Sequence, residues 1–312
     1  MSRVATGVIW ALAFVLLESL QYVFFGNIFQ RVSSVLFGSL VFAIVVIGFV
    51  GWSALRRPED LRCALRQPRL LLLINLTATV SWLMLLLSVQ MIEPATAYTI
   101  GAGAMPLAAW TAHRLGIPEG DAPRNGAERV GILMILAGVV FLSVITIAGW
   151  SGFVRGGAVV AVVGISLAFA EGALFTLLLI FCQRIDRRGV GPSTVFGLRF
   201  VLYVFVAAAM AGTGFDAKVQ IGMAELSVIV GLGLLLIVPP LFALQQAVSL
   251  VSTLTIGVLT ALGPFMIFIL QWLEGRVDHS WTTLTGLMIF FAGAILSTLG
   301  AVRAQTGGRR GA

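Results

Sequence analysis

Charged residues are scarce in this chain, and their scarcity excludes an ordinary soluble domain. Only 11% of the 312 residues are charged, while 59% are apolar. A soluble globular domain has about one quarter of its residues charged. The composition therefore predicts an integral membrane protein, most of which lies in the hydrocarbon of a lipid bilayer.

Sequence patterns for several kinds of chemistry are also missing. No G-x-x-x-x-G-K-S/T phosphate-binding loop occurs, so we do not expect ATP to drive this chain directly. The two histidines, His113 and His279, stand alone at the ends of predicted helices. Cys63 and Cys182 lack metal-ligand spacing, and in a reducing compartment we expect both to be free thiols. We therefore predict no metal, no cofactor and no catalytic residues, and a protein that is not an enzyme.

Long apolar segments make up most of the chain. A helix needs about twenty mainly apolar residues to cross the hydrocarbon of a bilayer. Ten segments qualify, and the links between them are too short to hold a soluble domain. The segments are 4–25, 34–54, 69–88, 95–112, 130–149, 158–182, 194–213, 225–246, 252–272 and 281–301. The predicted fold is an all-α integral membrane protein with ten transmembrane helices.

The net charge of +7 is concentrated in alternate links. Fifteen of the twenty basic residues lie at the two termini or between helices 2 and 3, 4 and 5, or 6 and 7. Short loops rich in Lys and Arg stay in the cytoplasm, so we expect both termini there. The same distribution argues against a nucleic-acid partner. Lysine occurs once among the twenty, which is typical of a GC-rich bacterial genome, so we predict the bacterial cytoplasmic (inner) membrane.

An internal repeat divides the chain into two halves. The segment GILMILAGVVFL at 131–142 is similar to GLMIFFAGAILS at 286–297, and Pro106 matches Pro264. Each half contains five predicted helices, an odd number, so the second half enters the membrane from the opposite side. Such a 5+5 inverted-topology repeat is typical of secondary transporters, whose substrate binds near the midplane. The two predicted units are residues 1–152 and 153–312.

Prolines and paired glycines recur at matching places in the two halves. They are Pro94-Ala95-Thr96-Ala97, Pro106 and Gly131-x6-Gly138, followed by Pro264, Glu274-Gly275 and Gly286-x6-Gly293. This pattern resembles the EamA-type proteins of the drug/metabolite transporter superfamily over nearly the whole chain. The resemblance implies ten helices, a 5+5 inverted repeat and export of small metabolites, and it leaves the substrate open. The family's Gly-Glu-Arg-like turn is altered here, because Glu128-Arg129 comes late in a longer loop.

Prolines inside predicted helices should disturb them. Pro106 and Pro264 should kink helices 4 and 9, since each removes one helical hydrogen bond. The pair Pro239-Pro240 should break helix 8 locally and expose carbonyl groups, which is tolerated only where they face a cavity.

Two carboxylates, Glu18 in helix 1 and Glu171 in helix 6, interrupt apolar segments. At about 1.5 Å per residue each lies about 20 Å from the start of its helix, so they are symmetric about the midplane. This arrangement resembles the helix-1 glutamate of small multidrug pumps, in which two inverted copies bring two glutamates together. Such a group exchanges a proton for a cationic substrate. A protonated glutamate that only bonds a neighbouring helix is the alternative.

Arg199 is the single cation predicted within a helix. It either extends to the cytoplasmic surface or pairs with a glutamate or with a substrate carboxylate. Organic phosphates would need several such cations, so we do not expect nucleotide-sugars or sugar phosphates as substrates. Other side chains on the predicted inner faces would bind substrate or simply fill the core. They are Trp10, Gln21, Tyr22, Trp82, Tyr98 and Gln245, and their aromatic rings can hold a cation.

Together these observations predict a secondary transporter that exports a small amine-bearing or zwitterionic metabolite, such as an amino acid or a cationic drug. Transport would occur by alternating access, either in exchange for protons or as an uncoupled facilitator. A non-transporting membrane partner subunit and an intramembrane enzyme are the alternatives from other classes. The expected partners are a small-molecule substrate, the lipid bilayer and protons. The substrate, the direction of transport and the choice between monomer and homodimer stay open.

Overall fold

The computed structural model describes residues 3–120, 122–218, 221–250 and 259–308. Within those ranges the chain is helical apart from short links, and its only β-structure is one isolated bridge between Ile92 and Val154. The predicted all-α class is confirmed.

We label the described helices α1 to α12 in chain order. They are α1 Arg3–Ile28, α2 Ser34–Arg56, α3 Pro58–Leu65, α4 Pro68–Met91, α5 Pro94–Arg114, α6 Gly126–Ile147, α7 Ala158–Asp186, α8 Pro192–Leu198, α9 Val201–Gly212, α10 Met223–Leu250, α11 Gly263–Glu274 and α12 Trp281–Gly308. The short helix α3 lies in a link for which no helix was predicted.

In the described part of the chain, eight segments are long and apolar enough to cross a membrane, so the chain is a multi-pass membrane protein by the length and composition of its helices. These segments are α1, α2, α4, α6, α7, α8 with α9, α10 and α12. The fourth predicted helix corresponds to α5, whose many small and polar residues lower its mean hydropathy below that of the eight. The ninth corresponds in part to α11, and its residues 252–258 lie outside the described ranges.

The seventh predicted helix is divided into two pieces. Helix α8 ends at Leu198, and α9 begins at Val201 after a turn at Arg199 and Phe200. The first N–H groups of a helix have no partner within it. Here the amide oxygen of Asn75, on α4, accepts a hydrogen bond from the Leu202 N–H at 2.9 Å. The break is therefore stabilised by a neighbouring helix.

The predictions made for prolines inside helices have different outcomes in the structure. Helix α10 continues through Pro239-Pro240 from Met223 to Leu250, so the predicted local break was wrong. Neighbouring groups in a membrane bundle can compensate for the hydrogen bonds that a proline removes. Helix α5 continues past Pro106, and the kink predicted there stays a prediction. Pro264 lies in the first turn of α11, where its missing N–H had no helical partner to lose. Because residues 251–258 lie outside the described ranges, the kink predicted in helix 9 also stays a prediction.

The links between helices form two separate groups. In one group Arg184 pairs with Glu119, and the Gly191 N–H donates to Asp60 at 3.1 Å. We call this the basic end, because it includes the arginine-rich links that follow α2, α5 and α7. In the other group Arg155 and Lys218 both donate to the Gln90 amide oxygen, at 3.0 and 3.1 Å, and Ser280 donates to the Trp150 carbonyl at 2.7 Å. We call this the far end.

The repeated glycines bring α6 and α12 into close contact. A Cβ atom on Gly293 would lie 2.6 Å from the Ile135 nitrogen and 2.8 Å from the Gly131 carbonyl oxygen. A Cβ atom on Gly138 would lie 2.9 Å from the Phe290 nitrogen. No side chain fits at these positions, so the backbones of the two helices approach directly, as small residues permit in membrane bundles.

Candidate functional site

A central cavity of about 130 Å³ lies in the middle of the bundle, between α1, α4, α5, α7, α10 and the turn that joins α8 to α9. Its lining consists of Phe14, Glu18, Gln21, Tyr22, Ser81, Trp82, Leu85, Tyr98, Gly101, Ala102, Met105, Glu171, Gly172, Phe175, Arg199, Ile237, Pro240 and Leu241. Both glutamates of the sequence prediction and the predicted intramembrane arginine are among these residues.

Glu18 lies on the cavity face of α1 and is held by an aromatic pair. The Tyr98 hydroxyl donates a hydrogen bond to Glu18 Oε2 at 3.2 Å. The Tyr98 ring meets Tyr22 edge to face, with ring centroids 4.9 Å apart. This geometry fixes the carboxylate while one of its oxygens stays free of side-chain donors from the described residues.

Glu171 reaches the cavity because α5 and α7 pack without side chains between them. A Cβ atom on Gly172 would overlap the Gly101 carbonyl oxygen, and one on Gly101 would lie 2.6 Å from Glu171 Oε2. The glutamate is 9% exposed, and no described side chain donates a hydrogen bond to its carboxylate. It lies close enough to Glu18 for the two carboxylates to repel each other when both are ionised.

Arg199 faces the cavity and does not extend to the surface of the basic end. Its guanidinium carbon lies 4.5 Å from the centre of the Phe196 ring and 4.7 Å from that of Phe200. It also contacts the Cys182 thiol. Its buried Nε has no hydrogen-bond partner, and no carboxylate of the described residues forms an ion pair with it. The guanidinium is therefore available to an anionic group in the cavity.

The remaining predicted residues divide into three groups. Gln21, Tyr22, Trp82 and Tyr98 line the cavity, and Trp82 is fixed by edge-to-face contact with Phe42 at a centroid distance of 4.8 Å. Trp10 lies outside it and packs edge-on against Phe242 at 5.7 Å. Trp10 shares a helical face with Glu18, but it lies about one turn nearer the basic end than Phe14, where the cavity ends on α1. The Gln245 side chain is outside the described part of the structure.

Several lining residues were not predicted as site residues. Gly101 belongs to a stripe of small residues on α5, which sequence reasoning would assign to packing alone, yet it also makes room for Glu171. Ser81 donates to the Glu171 carbonyl oxygen at 3.4 Å, and nothing in its sequence context indicates that contact. Among the described residues no three potential metal ligands converge on one point.

Comparison with known proteins identifies a fold and no family. No family model matches the chain, and no curated protein matches it. Eleven chains of solved structures match. One, described only as "Crystal structure of protein", has a TM-score of 0.59 at 18% identity, over 96% of this chain and 99% of that one. At this identity the likeness shows a shared fold over nearly the whole length, and it carries no information on function.

Proposed function

We propose that this chain is a secondary transporter of the EamA type, in the drug/metabolite transporter superfamily. In this proposal it exports a small amine-bearing or zwitterionic metabolite across the bacterial cytoplasmic membrane by alternating access, with both termini cytoplasmic. One observation carries the proposal. Two carboxylates and one guanidinium, which are costly in hydrocarbon, line the same cavity in the middle of a multi-pass bundle.

The charges of the cavity support this substrate class. Glu18 and Glu171 supply negative charge, and the rings of Tyr22 and Tyr98 beside them can hold a cation through their faces. Arg199 supplies a fork of N–H donors that suits a carboxylate. A molecule with an amine satisfies the glutamates, and one that also has a carboxylate satisfies the arginine.

Proton exchange follows from the two neighbouring acids. Two carboxylates that repel each other favour a state in which one carries a proton or a cation lies between them. Entry of a cationic substrate can then release a proton, and entry of a proton can release the substrate. An uncoupled facilitator would use the same groups only to orient its substrate.

Helix contacts support the proposed 5+5 inverted repeat of residues 1–152 and 153–312. A repeat of five membrane helices pairs α1 with α7, α4 with α10 and α5 with α11. The contact between α1 and α10 then corresponds to that between α7 and α4, and α1 with α11 corresponds to α7 with α5. All four contacts occur, and α6 also contacts its own repeat partner, α12. These are contacts that an inverted repeat would produce.

The purified chain, reconstituted alone into liposomes, tests the proposal. We expect it to carry at least one member of a panel of radiolabelled amines, amino acids and cationic drugs. An imposed pH gradient should accelerate that flux, whereas equal flux with and without the gradient would identify a facilitator. Absence of flux for every panel member, with a correctly folded protein, would contradict transport by this chain and would favour a partner subunit.

A further inference from the structure

Another carboxylate, that of Glu93, lies at the far end between α4 and α5, and its side chain is fully buried. It accepts hydrogen bonds from the Thr283 hydroxyl at 2.8 Å, the Gly152 N–H at 3.0 Å and the Thr96 hydroxyl at 3.4 Å. The Gln271 side-chain amide is a fourth donor. We call these five residues the far-end cluster. None of them lines the central cavity.

The far-end cluster joins four separate parts of the chain through one side chain. Thr96 belongs to α5, Gln271 to α11, Thr283 to α12, and Gly152 to the link between α6 and α7. The donors are all neutral, and no cation of the described residues forms an ion pair with the carboxylate. Burial raises the pKa of Glu93 above its ordinary value, and the four donors oppose that effect. Removal of any partner leaves buried polar groups unsatisfied, which is costly.

Helix α11 connects this cluster to the central cavity. Near its last turn, Gln271 donates to Glu93 and accepts from the Ala95 N–H at 3.3 Å. At its first residue, Gly263 packs so closely on Tyr98 that a Cβ atom would lie 2.9 Å from the Tyr98 hydroxyl. That hydroxyl is the donor to Glu18. Helix α11 is about 18 Å long at 1.5 Å per residue. It contacts Glu93 near its last turn and, at its first residue, the tyrosine that donates to Glu18.

We propose that Glu93 is a positioning residue that holds the far end of the bundle closed, and that α11 links its release to the state of Glu18. This inference rests on the proposed function, because only a transporter needs the far end to open. A change in the Glu18–Tyr98 bond displaces the start of α11, and this motion pulls Gln271 away from Glu93. The far-end cluster then separates, and the cavity opens on that side.

Side-specific labelling of a cysteine in the cavity tests the closure. The reporter is Ala102→Cys, in a background with Cys63→Ser and Cys182→Ser, and the probe is a membrane-impermeant maleimide added from either side of the membrane. We expect slow labelling from the far end. Gln271→Glu places a second carboxylate against Glu93, and it should raise the far-end labelling rate about tenfold or more.

A charge exchange provides the specific control. Glu93→Gln together with Gln271→Glu restores one donor facing one carboxylate, and it should return labelling to within about twofold of the reference rate. Glu225→Gln, which alters an exposed far-end carboxylate paired with Arg31, should leave the rate unchanged. Thr283→Val retains shape and removes one donor, so it should raise the rate about fivefold.

Unchanged far-end labelling in a folded Gln271→Glu protein would overturn the inference, and so would failure of the exchange to restore slow labelling. If Gln271→Glu does not fold, Thr283→Val decides, and an unchanged rate in that variant overturns the inference. Flux measured in parallel separates the two proposals. If the labelling rate changes in the far-end cluster variants as expected but no substrate is transported, only the proposed transport function is contradicted. If substrate is transported but the labelling rate is the same in all far-end cluster variants, only the proposed closure is contradicted.

Discussion

The two ends of the bundle hold their polar groups in opposite ways. At the basic end Arg184 donates to Glu119 at 2.6 and 3.2 Å, but Arg184 is 32% exposed and the nearby Arg187 is 67% exposed. At the far end Glu93 and Gln271 are 0% and 1% exposed. Water and salt screen exposed ion pairs, whereas buried hydrogen bonds to a charged group are expensive to break. The far-end cluster therefore contributes more to holding the helices together than the Glu119 ion pairs of the basic end.

The largest expected contrast is in stability. Glu93→Ala leaves four donors without an acceptor, and it should lower the free energy of unfolding by about 3 kcal/mol or more. Glu119→Ala, the matched change at the basic end, should cost less stability, because its partners Arg184 and Arg187 are 32% and 67% exposed and water can solvate them once the carboxylate is removed. Thermal melts of both purified variants in the same detergent measure the difference. Equal losses in the two variants would contradict the distinction between the ends.

Helix packing between the two ends should show the next largest effect. Gly172→Ala forces a methyl group into the Gly101 carbonyl oxygen, so α5 and α7 must separate and Glu171 must move. We expect a loss of about 1 to 3 kcal/mol in stability. Gly48→Ala is the control, since a Cβ atom there meets nothing within 4 Å. A stable Gly172→Ala protein with full flux would show that this contact does not position Glu171.

Tyr98 links the cavity to the far end through its hydroxyl, and its loss should have a moderate effect. Tyr98→Phe retains the ring against Tyr22 and Gly263 and removes only the bond to Glu18. We expect the apparent KM for substrate to rise about fivefold, the equivalent of one neutral hydrogen bond. Tyr203→Phe is the control, because the buried Tyr203 hydroxyl has no hydrogen-bond partner among the described residues. An equal change in both variants would remove Tyr98 from the link.

The smallest effect concerns pH at the basic end. The Arg184 guanidinium lowers the pKa of Glu119 below its ordinary value of 4.5. A carboxyl with a lowered pKa adds stability above its ordinary pKa, and the gain is lost as pH falls through the lowered value. At neutral pH the wild type should therefore melt at a slightly higher temperature than Glu119→Gln, and this difference should vanish in acid. It should also vanish in high salt. A difference that grows as pH falls would contradict this sign.

Sequence reasoning succeeded where the bilayer leaves few choices. Apolar segments of about twenty residues predict helices because no other structure satisfies the backbone in lipid. Glu18, Glu171 and Arg199 stand out for the same reason, and all three line the central cavity. The helical face that Trp10 shares with Glu18 could not show that Trp10 lies outside the cavity. Helical periodicity gives the direction of a side chain from the helix axis, but it does not give how far a cavity extends along that axis.

Other features depend on contacts that no local pattern contains. The break after Leu198 is stabilised by Asn75 on a distant helix. Glu93 lies in a link between two predicted helices, so its position in the sequence does not indicate that the carboxylate is buried. Its burial follows only from the packing of α11 and α12 over it. Continuity of α10 through Pro239-Pro240 likewise depends on its neighbours.

The central claim is that the glutamates of the cavity carry the transport. The most direct measurement compares pH-gradient-driven flux of the wild type, Glu18→Gln and Glu225→Gln in the same liposomes, at equal amounts of inserted protein. The account predicts that Glu18→Gln abolishes this flux, while the exposed control Glu225→Gln retains it. Flux through Glu18→Gln at the wild-type rate would contradict the account.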